Sequence, residues 1–339
     1  MHTDPISHPA LSQNSAAGGA GGGAEGGGDG TPGTGGKATG GGVAIFADLT
    51  VTDSTIAANA SIGGAPGIDN DGDPGGAGTG QGGGLWRSLG TATIRGTITA
   101  GNSATGGAAN GADAFGSFTS GGYNLIQNTS GAAFTGSTFN DITGVNPQLG
   151  TLSNNGGPTD TMALAITSAA IDKGHSFGLT NDQRGLLRIA DGVPSNPVGG
   201  DGTDIGAFEF HPGGGADADG DGMPDDFESF YGVSDPDADA DGDGQTNLQE
   251  SLAGTNPRSI ASALRAVAPI TRGSDLVITF EAVAYKTYRL ERKLALTDAF
   301  WQSIAGVADL TPQTTGITSI AHPGGASQAQ GFYRVRLLP

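Results

Sequence analysis

Two short runs, LTVTDSTIAAN (49–59) and ATIRGTITAGN (92–102), share alternating Thr and Val or Ile positions, and both end on Asn. Val51 and Asn59 match Ile94 and Asn102 at an offset of 43. The triplets Gly40-Gly41-Gly42 and Gly82-Gly83-Gly84, each followed by an apolar residue, match at 42. A strand unit this short cannot bury its apolar face alone, and stacking copies solves that. Parallel coils about 4.8 Å apart would set Val51 over Ile94 in a core. Asn59 and Asn102 would then form an amide ladder along one corner. The pattern predicts a right-handed parallel β-helix over residues 1–111, with the Gly tracts 16–42 and 60–84 as loops thrown from one edge. A flexible Gly-rich linker is the plainer alternative for those tracts; the phased apolar strands between them speak against it. Asn14 reads as the end of an earlier rung, so the expectation is a chain that begins within a repeat.

A second alternation occupies the C-terminal stretch. LVITFEA (276–282), TYRLERK (287–293) and FYRVRLL (332–338) read as half-buried antiparallel strands. With Phe300, Trp301 and Ile304 as core bulk, they predict a small β-sandwich over 259–339. Arg289, Arg292, Arg334 and Arg336 suit either an anionic cell-surface glycan or a solvated sheet face.

Between these regions the strand pattern stops and charge takes over. The chain of 339 residues has a net charge of −19 but is only 14% charged, and 64 of its residues are Gly. Residues 217–250 carry twelve carboxylates without Lys or Arg, whereas 262–339 hold eight basic against five acidic residues. The acidic block needs cations to be compact. Nothing resembles a basic groove, so nucleic acid is not an expected partner. With 0 Cys, disulfide and thiolate chemistry are excluded. No run reaches the ~18 apolar residues of a membrane span, and Met1–Ala10 has no basic or apolar leader pattern.

The acidic block has an internal order. DADGDGMPDDFE sets Asp217, Asp219 and Asp221 at loop positions 1, 3 and 5, Met223 at 7 through its carbonyl, Asp225 at 9 and Glu228 at 12. DADGDGQTNLQE sets Asp239, Asp241, Asp243, Gln245, Asn247 and Glu250 in the same slots. Ca²⁺ takes six to eight hard oxygens at about 2.3–2.6 Å, so alternate side chains must turn inward, with Gly at position 6 where the backbone bends. The expected cofactor is therefore Ca²⁺, held in a linker over 212–258. Short helices are predicted at 226–231, stopped by Gly232, and at 247–253, stopped by Gly254. The patch Asp69-Asn70-Asp71-Gly72-Asp73 lacks ligands at positions 9 and 12 and reads as a turn.

Two resemblances bear on this reading. DAFGSFTSGGYNLIQN (113–128), DITGVNPQLGTLSNNGGPTDTMAL (141–164), SAAIDKG (168–174), NDQRG (181–185) and DIGAFEF (204–210) occur in an order that resembles the choice-of-anchor Q domain of bacterial secreted and surface proteins. That domain sits at the end of parallel β-helix regions similar to polymorphic outer-membrane and autotransporter passengers, and implies a β-helix end over 112–211. Thr167-Ser168-Ala169-Ala170 departs from the Gly-Ser-Pro-Ala of that family. Asp182 and Arg184 would pair with each other or with Asp204 and Glu209 across a closing rung. The paired acidic loops look like thrombospondin type 3 or dockerin-like repeats, which implies a metal-stiffened connector. Their starts lie only 22 residues apart, which favours the connector over a cohesin-binding module.

No H-E-x-x-H occurs, and His2, His8, His175, His211 and His322 are scattered. A polysaccharide lyase or glycoside hydrolase is the enzyme alternative. For it the rungs offer only Asp48, Asp53, Arg87 and Arg95, and fold alone is no warrant for activity. The expectation is a non-catalytic, monomeric, calcium-binding structural or adhesion protein, exported to the bacterial surface, with a cell-surface glycan or protein as partner.

Overall fold

In the computed structural model, which describes residues 6–7, 9–23, 31–108, 110–192, 194–213, 217–327 and 331–338, Leu49–Thr52 and Ala92–Arg95 pair as parallel strands with Val51 beside Ile94. The protein is an all-β chain apart from two short helices and a single 3₁₀ turn among the described residues. It divides into two compact units, one of Met1–Asn155, Thr159–Gln183 and Pro194–Phe210, the other of Gly156–Pro158, Arg184–Val193 and His211–Pro339.

Parallel ladders build the first unit. One joins Ile6–Ser7, Leu49–Thr52, Ala92–Arg95 and Ala114–Ser120; a second joins Ala10–Ser12, Thr55–Ala57, Ile98–Ala100, Leu125–Ile126 and Ile142–Thr143. A third joins Ser15–Ala17, Ala60–Ile62 and Ser103–Thr105. The inward positions Val51, Ile56, Leu85, Ile94, Phe118 and Ile126 form one core, each no more than 1% exposed. Such side chains cost about 2–5 kcal/mol each to truncate to Ala.

The ladders run without a break across residue 111. Gly40, Gly82 and Gly111 each hold a left-handed turn, with φ of 66°, 63° and 68°, and each is followed by a strand of the same ladder, at Val43, Leu85 and Ala114. A Cβ at any of the three would strike the residue four positions on, within 2.8 Å of Ala44, Trp86 or Phe115.

Asn residues line one corner. The backbone N and Nδ2 of Asn14 donate to Asn59 Oδ1, both at 3.0 Å, and those of Asn59 donate to Asn102 Oδ1, both at 2.9 Å. Asn102 passes the pattern to Asp113 Oδ1, at 3.0 and 2.9 Å, and Asn124 does the same to Asp141. A carboxylate suits the last place because it accepts without having to donate onward. Burial raises the Asp113 pKa, and the Asn102 and Asn128 hydrogen bonds oppose it.

The Gly tracts are ordered where they are described. Gly18 and Gly21 donate to Ile62 O and Ala65 O, Gly33 and Gly36 to Gly22 O and Gly19 O, and Gly64 and Gly67 to Gly36 O and Gly33 O, all at 2.7–2.9 Å. Gly75 and Gly78 continue to Gly67 O and Gly64 O, both at 2.8 Å. Donors three residues apart match the three-residue turn of polyproline II. Here neighbouring extended segments bond to one another, which a lone polyproline II helix cannot do. A Cβ on Gly18, Gly35 or Gly64 would lie 2.0, 2.0 or 1.9 Å from a carbonyl oxygen, so only Gly permits this spacing. Residues 24–30 of the first tract lie outside the described residues.

In the same unit Asp182 Oδ2 accepts from Glu209 N at 3.1 Å, Asp204 Oδ2 from Phe210 N at 2.6 Å, and Glu209 Oε2 from Asp204 N at 3.0 Å. These buried acids thus fasten the 204–210 backbone. Arg184 is buried in the other unit, where its carbonyl accepts from Tyr285 Oη at 2.6 Å.

The second unit carries both acidic loops and two three-stranded antiparallel sheets. One sheet is Ile270–Arg272, Asp275–Ala282 and Gly316–His322; the other is Gln302–Ser303, Thr287–Lys293 and Phe332–Leu338. Ile278, Phe280, Tyr288, Leu290 and Ile320 from both sheets share one core, with Ile304 packed against it. Phe300 departs from expectation and is 80% exposed. Trp301 lies not in the core but under Lys293 and Arg334, 5.4 and 4.7 Å from its ring. Arg289 pairs with Asp309 at 2.6 Å, and Arg334 and Arg336 pair with Glu291 at 2.6 and 3.4 Å. Arg289, Arg334 and Arg336 are therefore spent on carboxylates of the same unit.

Candidate metal centre

Each acidic loop is folded by its own carboxylates. Asp217 Oδ1 and Oδ2 accept from Gly220 N and Gly222 N at 2.7 and 3.0 Å. Asp219 accepts from Asp221 N at 3.3 Å, and Asp221 from Met223 N at 2.8 Å. The second loop repeats the scheme. Asp239 accepts from Gly242 N at 2.8 Å and Gly244 N at 2.8 Å, Asp241 from Asp243 N at 3.0 Å, and Asp243 from Gln245 N at 2.7 Å. Gly222 and Gly244, at position 6, have φ of 98° and 96°, which a side chain rarely adopts.

One carboxylate oxygen from each of Asp217, Asp219 and Asp221 lies within 4.8 Å of the others, and so it is for Asp239, Asp241 and Asp243. These two are groups that can hold a metal ion. Helix α1 (Asp225–Tyr231) follows the first loop and stops at Gly232; α2 (Asn247–Ala253) follows the second and stops at Gly254. The helices bring Asp225 and Glu228, and Asn247 and Glu250, to positions 9 and 12.

The loops differ in what surrounds them. Glu228 is half-buried, while Glu250 and Asn247 are 0% and 2% exposed. Asp241 Oδ2, Asn247 Oδ1 and Glu250 Oε2 are buried acceptors without a hydrogen-bond partner. A buried acceptor left unpaired costs about 1–3 kcal/mol, more if charged. Three on a single loop, on three ligand positions, fit a hard cation drawn from outside the chain. The other Glu250 oxygen accepts from Thr255 Oγ1 at 3.3 Å, which orients the carboxylate. Arg265 reaches the loop, 2.6 Å from Asp243 O and 3.4 Å from Asp243 Oδ2.

Arg265 offsets only part of the charge in the second loop. Burial, then repulsion from Asp241 and Asp243, pushes the Glu250 pKa up to about 8. Asp241 is raised by burial, with Asp243 and Asp239 adding to it, while the Gly244 N–H holds Asp239 low. Glu228 is raised as well, by desolvation and then by Asp219 and Asp221. A divalent ion reverses each upward shift, because it favours the ionised form.

The remaining candidates lie elsewhere and take local structural bonds. Asp69 Oδ1 accepts from Asp71 N and Asp73 N at 3.1 and 2.7 Å, a turn. Asp48 accepts from Thr91 N at 2.6 Å, Arg87 Nε donates to Gly90 O at 2.7 Å, and Arg95 stacks on Phe177 at 4.7 Å. Asp53 is fully buried. His175 contacts the Tyr123 and Phe177 rings, His211 bonds Leu187 O, and His2 and His8 lie outside the described residues. The orphaned oxygens and Arg265 follow from burial, which loop spacing does not carry. Among the described residues no helix is long and apolar enough to cross a membrane. No family model, curated protein or solved structure matches the chain.

Proposed function

We propose that this protein is a calcium-binding structural or adhesion component of a bacterial cell surface. In this reading the stacked parallel ladders form a right-handed parallel β-helix that ends in a choice-of-anchor Q-like segment. The paired acidic loops are a metal-stiffened connector, and the two antiparallel sheets are a β-sandwich. Ca²⁺ would be held by Asp217, Asp219, Asp221, Met223 O, Asp225 and Glu228, and by Asp239, Asp241, Asp243, Gln245 O, Asn247 and Glu250.

The observation that carries the reading is the trio of buried, unpartnered oxygens on Asp241, Asn247 and Glu250. An acidic surface explains exposed aspartates without an ion; it does not explain acceptors buried with nothing to accept from. The preference for Ca²⁺ over softer metals rests on an all-oxygen donor set without Cys or His. Occupancy at extracellular rather than cytosolic calcium fits an exported protein, since extracellular modules bind at about 10⁻⁴–10⁻³ M.

Calorimetric titration of the metal-free chain with calcium tests this. Two saturable sites are expected, one lost in Asp217→Ala and the other in Asp239→Ala. Absence of binding up to ~10 mM, above the weak extracellular range, refutes it.

A further inference from the structure

Ala10–Ser12 and Ser15–Ala17 are the outermost strands of the second and third ladders among the described residues. Thr55 N donates to Pro9 O at 3.0 Å, so alternation along the strand turns the peptide groups of Ala10 and Ser12 the other way. On that outward side lies a groove of about 600 Å³, lined by Ala10, Leu11, Ser12, Asn14, Leu152 and Asp160. The side chain of Gln183 reaches into it and accepts from Ala10 N at 2.8 Å. Within the ladder the same slot is filled by a main-chain carbonyl. Ile98 N donates to Ser54 O, and Leu125 N to Thr97 O, both at 2.9 Å. One side-chain amide therefore stands where the peptide of a further strand would lie.

The neighbouring positions have no such substitute. Ser12 N and Ala10 O face the groove without a partner among the described residues, and the Ser12 hydroxyl is buried and unpartnered. The corner ladder breaks off at the same place. Asn59 Oδ1 accepts twice, from the N and Nδ2 of Asn14, and Asn102 Oδ1 accepts twice from Asn59. Asn14 Oδ1 accepts from no described residue, and Asn14 is exposed. Leu11 packs on the core but is only partly buried, whereas Ile56, in register with it, is 0% exposed. A strand edge with open N–H and C=O groups is a template for a further strand.

We propose that this groove binds an extended segment of another polypeptide, laid parallel to Ala10–Asn14 and carrying an Asn in register with Asn14. Its backbone pairs with Ser12 N and Ala10 O, and an apolar side chain covers Leu11. The Asn donates its backbone N–H and side-chain amide to Asn14 Oδ1, as Asn14 does to Asn59. The residue before that Asn has to be left-handed, since Gln13, Ala58 and Gly101 precede the ladder Asn with φ of 59°, 58° and 64°. Gly meets that demand without strain. The occupant is thus a peptide of the pattern apolar-x-Gly-Asn. The open groups are those of a peptide ladder, an N–H, a C=O and an amide oxygen in strand register, which a sugar or a lipid does not match. Strand addition of this kind takes affinity from main-chain bonds and specificity from alternate side chains. It continues the contact that joins Ala10–Ser12 to Thr55–Ala57, and it depends on the ladders alone, whatever the acidic loops bind.

The probe is a synthetic peptide with blocked ends, residues 54–60 of this chain carrying Ala58→Gly, titrated into the full chain by calorimetry. The same peptide with Asn59→Ala is the control. Saturable binding of the first with a dissociation constant of ~1 mM or tighter is expected. The second should bind about fivefold more weakly, the worth of one hydrogen bond. Ser12→Pro removes the outward N–H at an edge position that Pro tolerates. It should weaken binding about fivefold or more and leave thermal unfolding unchanged. Asn14→Ala should abolish the difference between the two peptides. Binding weaker than ~1 mM, equal binding of the two peptides, or unchanged binding in Ser12→Pro would each overturn the proposal. The calcium titration above is read separately, so either reading can fail alone.

Discussion

The two acidic loops share their first six residues, their closing Glu and a hydrogen-bond scheme, yet they stand in different surroundings. The first leaves Asp217 and Asp219 exposed and Glu228 half-buried. The second buries Glu250 and Asn247 and leaves three acceptors without partners. Its helix is also better fastened. Thr246 and Gln249 form a reciprocal capping box at the start of α2, whereas Pro224 offers α1 no side-chain cap. Lys286 Nζ donates to Leu252 O at 3.0 Å near the end of α2. A shared motif thus sets local backbone geometry, while burial decides how far the fold depends on the ion. If both loops take calcium, the second makes the ion part of its own core, and the first binds it from the surface.

Removing the ligand set is the largest perturbation of that contrast. At free calcium a hundred times the dissociation constant, an occupied site stabilises its fold by about 2.7 kcal/mol. Asp239→Ala should forfeit that gain and lower the calcium-bound unfolding temperature of the second unit; Asp217→Ala should lower it less. Calorimetric scans in excess calcium check the order, and a reversed order breaks the comparison.

Next in size is the effect of pH on calcium affinity. The Glu250 pKa is raised from 4.5 to about 8 in the metal-free chain. For a group whose folded pKa is raised, stability is fully present below the unfolded value and is lost as pH rises through the folded value. Metal-free second-unit stability should therefore fall between about pH 4.5 and 8. Calcium needs the ionised carboxylate, so affinity at the second loop should drop by about tenfold or more from pH 8 to pH 6. Site-resolved titration, using Asp217→Ala to isolate the second loop, measures this; a flat profile contradicts it.

Two smaller effects sharpen the picture. Thr246→Ala should cost about 1 kcal/mol through the lost cap, read by denaturant unfolding, whereas Pro224→Ser should not destabilise. Arg265→Gln removes a cation 3.4 Å from Asp243 Oδ2. It should tighten calcium at the second loop about two- to threefold, and leave the first unchanged.

Much of this architecture was legible along the chain, for identifiable reasons. Val51 beside Ile94 followed from an offset of 43 in alternating strands, and the register has that offset. The stops at Gly232 and Gly254 followed from the helix-ending role of Gly, and both residues are left-handed caps. The strand at Ala114 was harder to see as a continuation of the same ladders. Gly82 and Gly111 are only 29 residues apart, and Gly111 is followed by Ala-Asp-Ala instead of a Gly triplet. The order within the Gly tracts was illegible, because side chains carry the periodicities of helix and strand and Gly has none. Arg292 was grouped by sequence with outward arginines, although its odd spacing from Arg289 puts it on the opposite face of the strand. Burial of Asn247 and Glu250 depends on contacts outside the loops and left no trace in their spacing.

The most direct test compares calcium-free and calcium-bound unfolding of Glu250→Gln and Glu228→Gln by differential scanning calorimetry. Glu250→Gln should stabilise the metal-free second unit, by removing a carboxyl that folding must either protonate or bury charged beside Asp241 and Asp243, and should lose most of the calcium-dependent rise. Glu228→Gln should change the metal-free transition little and keep the larger part of the rise. Equal behaviour of the two variants, or a calcium-dependent rise left intact in Glu250→Gln, would contradict an ion built into the second loop.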